Sequence, residues 1–131
     1  MQQSWTKEAI LELYHTPLMD LMYRAASVHR THHDPNTVQV STLLSIKTGG
    51  CPEDCGYCPQ AARYHTDLEG NELMSVAQVK AQALRAKASG SSRVFMGAAW
   101  RNVKDGPEFD NVLEMVRTIN KLDMEVCCTL G

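Results

Sequence analysis

The residues best equipped for chemistry lie in Gly49-Gly50-Cys51-Pro52-Glu53-Asp54-Cys55-Gly56-Tyr57-Cys58-Pro59-Gln60, where three of the chain's five cysteines fall within eight residues. Spacings of three and then two intervening residues bring three thiolates within reach of one soft metal centre. The glycines and prolines of the same stretch oppose a regular helix or strand and favour a wrapped loop.

Ligand number separates the candidate centres. Structural zinc wants four closed ligands, usually as paired cysteine hooks, and no second hook lies near; His65 is the nearest imidazole. An iron-sulfur cubane fed by three thiolates keeps one iron open, which is what a substrate or cofactor needs. A redox pair at Cys55 and Cys58 is a further reading of the same residues.

The elements around this stretch follow from periodicity. Ile10, Leu11, Leu13 and Tyr14 recur at helical spacing behind Thr6, a candidate cap, and Pro17 opens a second helix. Leu18, Leu21, Met22, Ala25, Ala26 and His29 make the apolar side of that helix, which is expected to pack as core. His29, His32 and His33 at its end are expected to be solvated or to meet the helix dipole rather than a metal. Asp34-Pro35-Asn36 is the turn out.

From Val38 to Lys47 apolar and polar residues alternate, which predicts a strand with a second, polar face. The cysteine loop begins at its carboxyl end, where α/β folds build their sites. Ser75 and Gln78 form a capping box for a helix with Val76, Val79, Ala83 and Leu84 on one side, ending near Ser89-Gly90. Arg93–Trp100 reads as a second strand. Gly106-Pro107 starts a helix with Phe109, Val112, Leu113, Val116, Ile119 and Leu122 as its stripe, and Glu125–Leu130 reads as a third strand. Two helices followed by β-α-β-α-β imply parallel strands with right-handed crossovers, in an open or a closed sheet.

Composition limits the partners. The 131 residues are 44% hydrophobic and 21% charged, with a net charge of −2, so no basic surplus recommends nucleic acid or an anionic membrane. No apolar run reaches transmembrane length, and Met1-Gln2-Gln3-Ser4-Trp5 lacks a signal pattern. Five cysteines with three clustered suit a reducing compartment, and a cytoplasmic location is expected.

The cysteine motif with Tyr57 before its third member, followed by Pro59-Gln60, resembles that of the radical S-adenosylmethionine enzymes. Within that group the runs 38–50, 51–63 and Met96–Trp100 ("MGAAW") resemble the biotin synthase family, and the similarity extends from about Trp5 to Gly131. The resemblance implies a (β/α)8 TIM-type barrel. A chain of this length then corresponds to N-terminal helices over 1–36 and the first three strands with their helices over 37–131, an incomplete barrel.

It also implies a 4Fe-4S cluster on Cys51, Cys55 and Cys58 whose open iron chelates S-adenosylmethionine, with Tyr57 against the adenine and Ala98 and Trp100 near the amino acid end. For both Tyr57 and Trp100 the alternative is ordinary aromatic packing. The implied reaction inserts sulfur into dethiobiotin to form biotin, with an electron-donating flavoprotein as partner and a homodimer as the family's assembly. A second, 2Fe-2S cluster is implied as sulfur donor, with Cys127 as one ligand; Cys128 falls on the opposite face of its strand. Where the resemblance asks for another cysteine, before "MGAAW", stands Phe95, whose ring cannot ligate iron. Two alternatives remain open: a radical S-adenosylmethionine enzyme without the donor cluster, and a zinc-binding interaction module using Cys51, Cys55, Cys58 and His65.

Overall fold

The computed structural model describes residues 4–131; the first three residues of the stretch without a signal pattern lie outside the described residues. The chain divides into two units, Met1–Val38 and Gln39–Gly131.

In the first unit, Thr6 Oγ1 accepts a hydrogen bond from the Ala9 amide at 3.2 Å and caps α1, Lys7–His15. Pro17, already held near helical φ, precedes α2, Leu18–His32. Asp34 closes the exit by accepting from the Asn36 amide at 3.0 Å and the Thr37 hydroxyl at 2.8 Å, and these bonds hold its carboxyl below the usual value. The expected core role of the second helix is corrected here: neither helix buries a residue, and Met19 and Met22 are 74% and 56% exposed. An apolar stripe becomes core only when another layer covers it, and two helices leave theirs open. The His29 and His33 rings stack 5.3 Å apart at the helix end, in keeping with a helix-end role.

The second unit is built on three parallel strands in consecutive order: β1, Ser41–Lys47; β2, Arg93–Ala98; and β3, Glu125–Thr129. α3, Val76–Ala88, connects the first two after the cysteine loop, and α4, Pro107–Asn120, connects the last two. This is an α/β arrangement. The capping box is formed in both directions between Ser75 and Gln78. β1 begins later than the alternation suggests, because Val38–Val40 precede the first partner on β2, Arg93, which pairs with Ser41. Similarly, β2 stops at Ala98 and β3 at Thr129, short of the expected Trp100 and Leu130.

One face of the sheet meets both helices. Ile46, Val94 and Met96 are buried against Val79, Ala83 and Ala86 of α3 and Val112, Met115 and Ile119 of α4. Two stripe positions differ from the sequence reading. Leu84 sits beside the buried row and is 47% exposed, while Ala86, seven residues from Val79, takes the inner place. On α4, Met115 lies three residues from Val112 and four from Ile119, so it shares their face and is fully buried. The opposite sheet face is not covered by α3 or α4. Its central row is Leu43, Phe95 and Cys127, paired in register across the three strands.

Candidate metal centre

The cysteine loop is held at its root by β-type pairing. Thr48 and Asn71 exchange amide hydrogen bonds of 3.3 and 2.9 Å, which bring the two ends of the cysteine loop together at the carboxyl end of β1. Gly49 has φ +77°, and a Cβ there would stand 3.1 Å from the Gly70 Cα. Both the left-handed backbone and the close approach require glycine. The Cys51 amide donates to the Gln60 carbonyl at 2.9 Å, and the Ala62 amide donates to the Cys51 carbonyl at 2.7 Å. The loop therefore closes on its first cysteine. The Cys58 amide donates to the Cys55 carbonyl at 3.0 Å, a turn that sets the other two thiols on one short arc. Cys51 and Cys58 are half-buried and Cys55 is exposed, and all are free thiols.

Side chains to which the sequence alone gave no structural role complete the loop. Gln60 Oε1 accepts from the Gly49 amide at 3.1 Å. Glu53 and Asp54 set two carboxylates among the three cysteines. Each has a counter-charge: Arg63 pairs with Asp54, and Arg101 Nε donates to Glu53 Oε1 at 2.5 Å. The Tyr64 hydroxyl donates to Asp54 at 3.3 Å, and burial, followed by the Asp54 charge, raises its pKa. The Arg63 guanidinium lies 5.1 Å from the Tyr64 ring centre. The acidic pair and Arg63 were legible as a local charge pattern. Arg101 carried no such signal, being 48 residues from its partner.

The other sequence-predicted site residues occupy two places. Tyr57 is 92% exposed beside a hollow of about 340 Å³ lined by Gly56, Cys58, Pro59, Tyr64, His65 and Thr66. Ordinary aromatic packing therefore does not describe it. Ala98 ends β2, and the Trp100 amide turns back to its carbonyl at 2.9 Å. Trp100 does pack, half-buried, against the core cluster. Cys127 is half-buried on the uncovered sheet face, in register with Phe95. Cys128 is on the opposite face of β3 and is exposed rather than set among the helices; partial desolvation and then the neighbouring Cys127 raise its pKa.

Three cysteines on one closed loop offer soft donors of the kind that iron-sulfur clusters and zinc both take. Zinc asks for four side chains converging on one point, and among the described residues no three His, Cys, Asp or Glu groups converge, the three loop cysteines included. A cubane takes one thiolate per iron at separate corners, which three spaced cysteines on a closed loop supply. At the second place Phe95 opposes a 2Fe-2S cluster. In the row Leu43, Phe95 and Cys127 there is one sulfur, and a phenyl ring stands between it and β1.

No family model matches the chain. Over all 131 residues the chain is 84% identical to a biotin synthase of Flavobacterium psychrophilum and 85% identical to one of Christiangramia forsetii. A biotin synthase of Myxococcus xanthus is 54% identical over the same span. The chain covers 36% of the length of the first two proteins and 38% of the third.

Proposed function

We infer, from 84 to 85% identity over alignments that span all 131 residues, that the chain belongs with the biotin synthases, of whose length it spans about a third. The proposed activity is that of a radical S-adenosylmethionine enzyme of the kind that inserts sulfur into dethiobiotin to give biotin, with Phe95 the one residue of this chain that opposes the sulfur-donating half of that reaction. The observation that carries it is the closed three-thiol loop at the carboxyl end of β1. The alternatives are not favoured, since relatives at 78 to 85% identity bear the biotin synthase name.

In this reading Cys51, Cys55 and Cys58 hold a 4Fe-4S cluster. When bound, that cluster and S-adenosylmethionine supply a one-electron cleavage of the sulfonium C–S bond, and hence a radical able to take hydrogen from dethiobiotin. The chain's own residues orient and exclude. The backbone bonds at Cys51 hold the first thiol fast, Tyr57 offers an unpacked ring to the adenine, and Ala98 presents a small side chain beside Trp100 where the cofactor's amino acid end would approach. Cys127 is the one candidate donor toward a second cluster, and no step is assigned through that cluster because Phe95 occupies its row.

The three parallel strands in consecutive order are proposed as the first staves of a (β/α)8 barrel, with 37–131 forming this part and 1–36 the preceding helices. An electron-donating flavoprotein, a homodimeric assembly and a cytoplasmic setting belong to the same proposal. The free state of all five cysteines supports a reducing setting. Among the described residues no helix is long and apolar enough to cross a membrane.

Anaerobic reconstitution with iron and sulfide tests the reading. One 4Fe-4S centre per chain is expected, absent in Cys55→Ala. Uptake of stoichiometric zinc without iron under those conditions refutes it.

A further inference from the structure

We propose that Arg101 is a positioning residue that straps the cysteine loop to the segment leaving β2 by pairing with Glu53. The proposal rests on the functional reading above. Glu53 lies between Cys51 and Cys55, and Arg101 directly follows Trp100. Their pair thus joins the thiol loop to the backbone carrying Ala98 and Trp100, two parts of the site that the sequence separates by 48 residues.

Among the described residues, no other ion pair links the cysteine loop to a segment outside it. Arg63 and Asp54 pair within the loop region, Arg117 and Glu114 within α4, and Arg93 and Glu125 across β2 and β3. Asp54 is already engaged by Arg63 and Tyr64. Glu53 is left to Arg101 alone.

The side chains are 65% exposed for Arg101 and 39% for Glu53, so the pair is too wet to contribute much to global stability. Its effect is local. Between the backbone bonds at Cys51 and the side-chain bonds at Asp54, Glu53 has no tether among the described residues but Arg101, which fixes its side chain and neutralises a carboxylate beside the thiols. The distance between the cluster and a cofactor resting against Ala98 and Trp100 then depends on the strap.

The test is a mutant cycle in the whole enzyme with Glu53→Gln, Arg101→Gln, both together, and the exchanged pair Glu53→Arg with Arg101→Glu. The readouts are the electron paramagnetic resonance spectrum of the reduced cluster and the S-adenosylmethionine concentration that half-converts it to the cofactor-bound form. Each single variant is expected to raise that concentration about two- to fivefold, the range of an exposed pair. The double variant should be no worse than either single one, the exchanged pair should recover most of the loss, and Arg117→Gln should change nothing. Singles that titrate like wild type, additive losses in the double variant, or no recovery on exchange overturn the strap. A wild-type enzyme that assembles no cluster, or whose spectrum ignores the cofactor, overturns the functional reading and the strap with it.

Discussion

Phe95 is the residue on which the chemistry turns. Its register with Leu43 and Cys127 puts an aromatic ring at the middle of the uncovered sheet face. If that row lies inside a barrel, the ring excludes a second cluster by volume as well as by lacking a donor atom. Joining this chain to the remaining length of a biotin synthase should therefore give an enzyme that cleaves S-adenosylmethionine but makes no biotin. Phe95→Cys in the same chimera should carry both clusters and convert dethiobiotin. Biotin formation at a comparable rate without the substitution shows that the ring does not block the donor. A smaller effect belongs to Glu125, which accepts from Gln39 and pairs with Arg93 across the strands. Gln39, then Arg93, lower its folded pKa below the ordinary 4.5. A depressed acid stabilises the fold above its unfolded pKa, and that contribution disappears as pH falls through the folded value. Melting temperature should thus drop below about pH 4.5, and Glu125→Gln should reduce the drop; parallel pH profiles would show that the pair contributes nothing.

At the scale of the elements, the helices that stabilise the sheet can be told from their stripes. Met115 is fully buried between Val112 and Ile119, so Met115→Ala should cost about 2 to 4 kcal/mol in urea unfolding. Leu84→Ala, on the exposed flank of α3, should cost well under half as much. Equal losses at the two positions would mean that the helix faces are misassigned. Ser75→Ala removes the acceptor for the Gln78 amide and one arm of the capping box, with an expected loss of about 1 kcal/mol. The same cap fixes where the crossover from the cysteine loop becomes helical, so element stability and site geometry meet at this residue.

At the scale of the molecule, the sheet has a covered face and an uncovered one. β1 and β3 each pair on one side only, and Leu43 on the uncovered face is 69% exposed. Such edges and apolar faces recruit other chains. The 131-residue chain expressed by itself should therefore self-associate at micromolar concentration in sedimentation velocity. A monomer with one sharp, cooperative thermal transition would show that this span is self-sufficient.

Much of this was legible in the residues themselves. Thr6, Pro17, Ser75 with Gln78, and Gly106-Pro107 act on their immediate neighbours, so the positions of all four helices could be read locally. The closed cysteine loop was likewise foreshadowed by its glycines and prolines, because they act on the backbone where they stand. What depends on distant partners was not legible. The start of β1 waited on where β2 begins, the place of Met115 on a layer that only the folded sheet supplies, and the exposure of Met19 and Met22 on a covering layer that α1 and α2 do not give one another. The pairing of Arg101 with Glu53, and the row that sets Phe95 beside Cys127, came from tertiary structure for the same reason: parallel strands joined by crossovers bring together residues that no local pattern connects.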